Sequence, residues 1–131
     1  MKRYLIVVVL VFLALAGSLS AAESKMKLGI VLYSSDAETV WNAFRVANFS
    51  LSQGDEVKVF LLAKGVDYEG LSSKKFDIKE QAKSFISAGG NIFACGTCLN
   101  IRQKQGSELC PASNMANLYQ IIKQSDKLLT F

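Results

Sequence analysis

Four short apolar runs, spaced by helical patterns, constrain this chain more than any other feature. Residues 27–33 (KLGIVLY), 56–63 (EVKVFLLA), 91–95 (NIFAC) and 127–131 (KLLTF) are nearly continuous in apolar and β-branched side chains. Runs of that kind suit strands buried on both faces. Between the first two, Ala37, Val40, Trp41, Phe44, Ala47 and Leu51 recur at helical spacing. Ser35 with Glu38 forms a capping box at the start of this helix, and Gly54 stops it. Asp77 with Glu80 begins a second helix that ends at Gly89-Gly90. A short helix is predicted over 99–104. Ser113, just after Pro111, is the predicted N-cap of a last helix bearing Met115, Leu118, Tyr119 and Ile122. Strands alternating with helices require right-handed crossovers. The expected fold is therefore α/β: a three-layer, flavodoxin- or Rossmann-like domain. Its mostly parallel sheet has four to five strands, with the 27–33 strand in the interior and helices on both faces.

At 131 residues the chain suits one such domain. Its amino-terminal end reads differently. Lys2 and Arg3 precede an unbroken run of 12 apolar residues over 5–16, and Ser20 and Ala22 occupy the −3 and −1 positions of a cleavage site. This is the pattern of a secretory signal peptide over 1–22, leaving an α/β domain over 23–131 in a periplasmic or secreted protein. The alternative is an uncleaved segment tethering the domain to a membrane, although the run is short of the roughly 20 residues a span needs. Cleavage would remove two of 15 basic side chains, leaving 13 against 11 carboxylates, a balance of +2. The remaining lysines are scattered among carboxylates, not striped with aromatics, so nucleic acid is not an expected partner.

The chain contains no histidine, which excludes Ser-His-Asp and Cys-His catalysis and histidine-ligated zinc. No Gly-rich phosphate loop follows any strand, so no nucleotide, metal or other cofactor is expected. In open parallel sheets ligands bind beyond the carboxyl ends of the strands. That rule selects the loops at 34–36, 64–67 and 95–98, and only the last carries a nucleophile. Cys95 stands where a strand gives way to a helix, and unsatisfied N–H groups there favour thiolate. Its sulfur is expected to protrude. Gly96 and Thr97 would let a substrate approach the backbone, and Lys64 could hold an anionic sulfur species. Cys98, three residues on, could resolve a mixed disulfide or close one with Cys95. Cys110 is the third thiol, either facing the same cleft or filling a loop junction as a small apolar residue. An odd count leaves one exported thiol free, reactive or paired between chains.

The C-G-T-C at Cys95 to Cys98, the Cys110-Pro111 leading to Ser113, Met115 and Leu118-Tyr119, and the ending from Ser125-Asp126-Lys127 to Phe131 together resemble the DsrE/TusD-like sulfur-relay family (DsrE/DsrF-like). The resemblance implies a small α/β domain assembling as a homotrimer or homohexamer. It implies sulfane sulfur carried as a persulfide on Cys95, passed between donor and acceptor proteins or small sulfane-sulfur species, which is sulfurtransferase chemistry if it turns over. The signal peptide departs from the family's cytoplasmic members. Two other functions fit the residues. One is an exported thiol-disulfide oxidoreductase using Cys95 and Cys98. The other is a non-enzymatic oligomeric module binding a small anion.

Overall fold

The computed structural model describes residues 24–131; the expected signal segment lies outside them. Five strands form one sheet: β1 (Lys27–Leu32), β2 (Glu56–Leu61), β3 (Asn91–Cys95), β4 (Ala112–Ser113) and β5 (Lys127–Thr130), in spatial order β4-β3-β2-β1-β5 and all parallel. Helices α1 (Ala37–Ser52), α2 (Ile78–Ser87), α3 (Gly96–Ile101) and α4 (Met115–Gln124) alternate with the strands, and a 3-10 segment (Ala63–Gly70) follows β2. The chain steps from β1 outward to β4 and returns on the opposite face through α4 to lay β5 beside β1.

Alternation along the strands divides the core into two layers. Leu28, Ile30 and Leu32 of β1, Val57, Val59 and Leu61 of β2, and Ile92 and Ala94 of β3 pack against Val40, Phe44 and Ala47 of α1 and Ile78, Ala82 and Phe85 of α2. The intervening side chains Val31, Phe60 and Cys95 turn to the other face, under Leu118 and Ile121 of α4. Among the described residues, one face thus carries α1 and α2 with Leu99 of α3, and the other carries α4 alone. Register keeps each layer in line, pairing Val31 with Phe60 and Phe60 with Phe93. Burial of Phe44, Phe60 and Phe85, all fully enclosed, contributes about 2–3 kcal/mol each.

Several boundaries differ from the sequence expectation, each for a local reason. Asp36, not Ser35, caps α1, because its carboxylate accepts both the Thr39 N–H at 2.9 Å and the Thr39 hydroxyl at 2.8 Å. Those bonds, the backbone one foremost, hold the Asp36 carboxyl below its usual range. Asp77 stands at the start of α2, but its carboxylate accepts the Trp41 indole N–H at 2.6 Å and so joins α2 to α1. Asn114 caps α4 through the Asn117 N–H at 3.1 Å. Ser113 is instead drawn into β4, a strand of two residues too short to leave an apolar signature. The loop expected after β2 winds into the 3-10 segment, and α3 starts directly at Gly96.

Gly65 fixes how closely the 3-10 segment lies over the end of β1. Its N–H donates to the Leu62 carbonyl at 2.9 Å, and a Cβ at this position would overlap the Leu32 carbonyl oxygen. The neighbour is backbone and cannot swing aside. Gly65→Ala is therefore expected to cost about 1–3 kcal/mol in urea unfolding, while Gly70→Ala, whose Cβ would meet open space, stays within about 0.5 kcal/mol of the parent.

Candidate functional site

Pairing of Leu61 with Ala94 sets the carboxyl ends of β2 and β3 side by side. The chain leaving β2 and the chain leaving β3 meet there. Leu62 still bonds to β1, its N–H donating to the Leu32 carbonyl at 2.9 Å. At Ala63 the backbone then turns into the left-handed region, with φ of 48°. This is an uncommon conformation for a residue with a side chain, and functional sites are enriched in it. The turn aims the Ala63 N–H at the Cys98 sulfur, 3.2 Å away.

Across the junction, Cys95 ends β3 and caps α3, its sulfur accepting the Cys98 N–H at 3.4 Å. The two thiols are in hydrogen-bond contact and both are free. Their exposures differ. Cys95 is 2% exposed, packed with Val31, Phe60, Leu118 and Ile121; the expected protruding sulfur is enclosed because β3 alternation turns it beneath α4. Cys98 is half-buried and bridges the two core layers. Burial and the hydrogen bond with Cys95 push the Cys98 thiol above its usual 9.0, against the opposing pull of the Ala63 N–H and the Arg102 charge.

Arg102 is the cation at this site. One guanidinium nitrogen donates to the Cys98 carbonyl at 3.2 Å and Nε pairs with Asp67 at 3.0 Å. Lys104 pairs with the same carboxylate and, with Arg102, holds the Asp67 carboxyl below its usual range. Partly exposed pairs of this type add little stability, but the two bonds fix where the guanidinium lies. Lys64, the cation expected here, is exposed on the 3-10 segment. Gly96 is where β4 passes closest, since a Cβ would sit 3.1 Å from the Ser113 carbonyl oxygen; Thr97 is exposed. Arg102 follows Cys98 by one helical turn, a spacing that was readable in the sequence. The left-handed turn at Ala63, a residue with no preference for it, was not.

Cys110 belongs to the opposite face of the sheet. It is 3% exposed and lines a cavity of about 330 Å³ with Val66, Tyr68, Ala94, Leu99 and Ser107. The Tyr68 hydroxyl donates to Glu69 at 3.1 Å, and burial pushes its pKa well above the usual value. Burial, with the Glu69 charge second, pushes the Cys110 thiol up to about 12. Among the described residues no group of side chains suits a metal ion, and no helix is long and apolar enough to cross a membrane.

The three thiols should separate on this basis. N-ethylmaleimide should label Cys98 ahead of Cys110 in the folded protein, at a rate still rising above pH 9, while Cys110 reacts only after unfolding; equal labelling would remove the burial argument. Because the folded Cys110 thiol ionises later than an unfolded one, its contribution to stability is complete below about pH 9. It is lost as pH rises towards about 12, a fall that Cys110→Ala should flatten in unfolding curves.

Known proteins resemble this chain in sequence or in fold. The chain is 31% identical to an uncharacterized protein of Methanocaldococcus jannaschii over 100 residues, covering 72% of this chain and 88% of that one. It is 28% identical to an uncharacterized protein of Methanopyrus kandleri over 101 residues, covering 72% and 83% respectively. A conserved protein of unknown function from Bacteroides thetaiotaomicron has the same fold, with a TM-score of 0.65 at 18% identity over 85% of this chain and 99% of that chain. The profile of the DsrE/DsrF-like family matches residues 26–131, the whole of the sheet and its helices, and the chain belongs to that family.

Proposed function

We propose that this protein carries sulfane sulfur as a cysteine persulfide at the Cys95–Cys98 pair, passing it between donor and acceptor proteins or small sulfane-sulfur species. The observation that carries the reading is the meeting of two free thiols, a backbone N–H and a fixed guanidinium at one strand end. A persulfide is anionic near neutrality and needs donors and positive charge around it, not a base. The Ala63 N–H and Arg102 supply both. The resemblance assigns the sulfur to Cys95, with Cys98 placed to intercept it.

The chemistry is two successive displacements. A cysteine thiolate attacks a sulfane sulfur, forming Cys–S–S⁻ as the donor's S–S bond breaks and its thiolate leaves. An acceptor thiolate then attacks the outer sulfur, restoring the cysteine thiolate. Neither step changes the number of electrons in the system or calls for a cofactor.

Export and assembly belong to the same reading. A signal peptide over 1–22 would deliver the domain to the periplasm or the exterior. Met115, Tyr119 and Ile122 line the outer side of α4, and Leu128 and Leu129 of β5 are exposed beside it, apolar area suited to the homotrimer or homohexamer that the resemblance implies. The contact between the two thiols also favours a second reading, a thiol-disulfide oxidoreductase.

Intact-mass analysis of the reduced protein after treatment with inorganic polysulfide separates the two. The carrier gains about 32 Da per sulfur, removed by dithiothreitol, and a Cys95→Ser, Cys98→Ser double variant gains none. An oxidoreductase instead loses about 2 Da as the pair closes to a disulfide, with no sulfur-loaded species preceding it in the time course. A wild-type mass unchanged by polysulfide would exclude both and leave a small-anion-binding module.

A further inference from the structure

The two thiols are unequal in a way that orders their roles. Cys95 lies under Phe60, Leu118 and Ile121 with 2% of its surface exposed, and its sulfur already serves as the cap of α3. A donor reaching it would have to displace α4. Cys98 stands one turn further along α3, half-buried, on the side where the chain leaving β2 arrives. The polar groups of the site converge on Cys98: the Ala63 N–H at its sulfur and the Arg102 guanidinium on its carbonyl.

Resting on the sulfur-carrier reading, we propose that Cys98 is the thiol that receives the sulfur and that Cys95 is the resolving thiol behind it. Displacement at an S–S bond needs the attacking sulfur, the attacked sulfur and the leaving sulfur nearly in line, so the receiving thiol needs open space on its far side. Cys98 has that space and Cys95 does not. The Cys98 thiolate attacks a terminal sulfur of a polysulfide or protein persulfide. The new bond makes Cys98–S–S⁻, and the shortened polysulfide or donor thiolate leaves with the electron pair of the broken bond. The charge that develops lies against the Ala63 N–H and within reach of Arg102.

Two exits follow. An acceptor thiolate takes the outer sulfur and restores Cys98. With no acceptor present, the Cys95 thiolate attacks the Cys98 sulfur of the protonated persulfide, a Cys95–Cys98 disulfide forms, and hydrosulfide leaves. Cys95 thus sets how long the sulfur stays loaded, not whether it loads.

Single variants treated with inorganic polysulfide, trapped with iodoacetamide and mapped by peptide mass test the order. Cys95→Ser is expected to load Cys98 and to hold the sulfur longer than wild type, with no disulfide formed. Cys98→Ser is expected to load at least about tenfold more slowly, and Arg102→Gln to load Cys98 but lose the sulfur sooner. Loading of Cys98→Ser at more than a tenth of the wild-type rate, on Cys95, overturns the assignment while leaving the carrier reading intact. Failure of wild type and both variants to load overturns the carrier reading itself. A measurement on the unmutated protein guards against misfolded variants: limiting N-ethylmaleimide should modify Cys98 before Cys95, and the reverse order overturns the assignment independently of sulfur loading.

Discussion

Parallel pairing of β3 with β2 is the constraint from which the site follows. The register that sets Leu61 beside Ala94 brings two departing chains to one place, where both strands end. Each departs in its own way. The β3 chain coils at once into α3, and its first residue supplies a sulfur to satisfy an N–H that no carbonyl can reach. The β2 chain bends at Ala63 into an unfavourable backbone region and turns its N–H outward to a second sulfur. A cysteine-sulfur acceptor is a weak one, so both contacts are held by the fold more than they hold it. The tight seat of Gly65 over β1 and the Asp67–Arg102 pair do the holding.

Most of the architecture was legible because it rests on periodicity. The β3 bounds coincide with the apolar run NIFAC, and α1 and α4 coincide with their stripes, since burial on a sheet demands those spacings. What escaped rests on geometry rather than pattern. A two-residue β4 has no period. Which oxygen among Ser34, Ser35 and Asp36 becomes a cap depends on a hydrogen-bond contest that a carboxylate wins with two donors. At the site, Cys95 and Cys98 could be found from their place after a strand, but their exposures could not. The face to which a residue turns follows from the phase of its strand, and the weight of the layer above it follows from where α4 returns. Lys64 was the cation expected from its place on a loop after β2, whereas the structure puts Arg102 at the pair, one helical turn beyond Cys98.

The uneven covering of the sheet also shapes its chemistry. Two helices and the 3-10 segment close one face, so the large aromatic side chains Phe44, Tyr68 and Phe85 interlock there at centroid distances of 5.5 and 6.2 Å. Among the described residues the other face has α4 alone, thinly packed through Leu118 and Ile121. A site straddling the boundary between a dense and a sparse layer has a rigid wall on one side and room for adjustment on the other.

The separation of Cys110 from Cys95 has a consequence for which sulfurs can meet. A β-sheet is a sheet of peptide as well as of side chains, and no sulfur reaches through it. With Cys110 sealed on one face and Cys95 turned to the other, a direct bridge between those two is barred for as long as the strands stay zipped. Cys98, at the end of the sheet, is in contact with Cys95, while Cys110 stays enclosed by the layer above it.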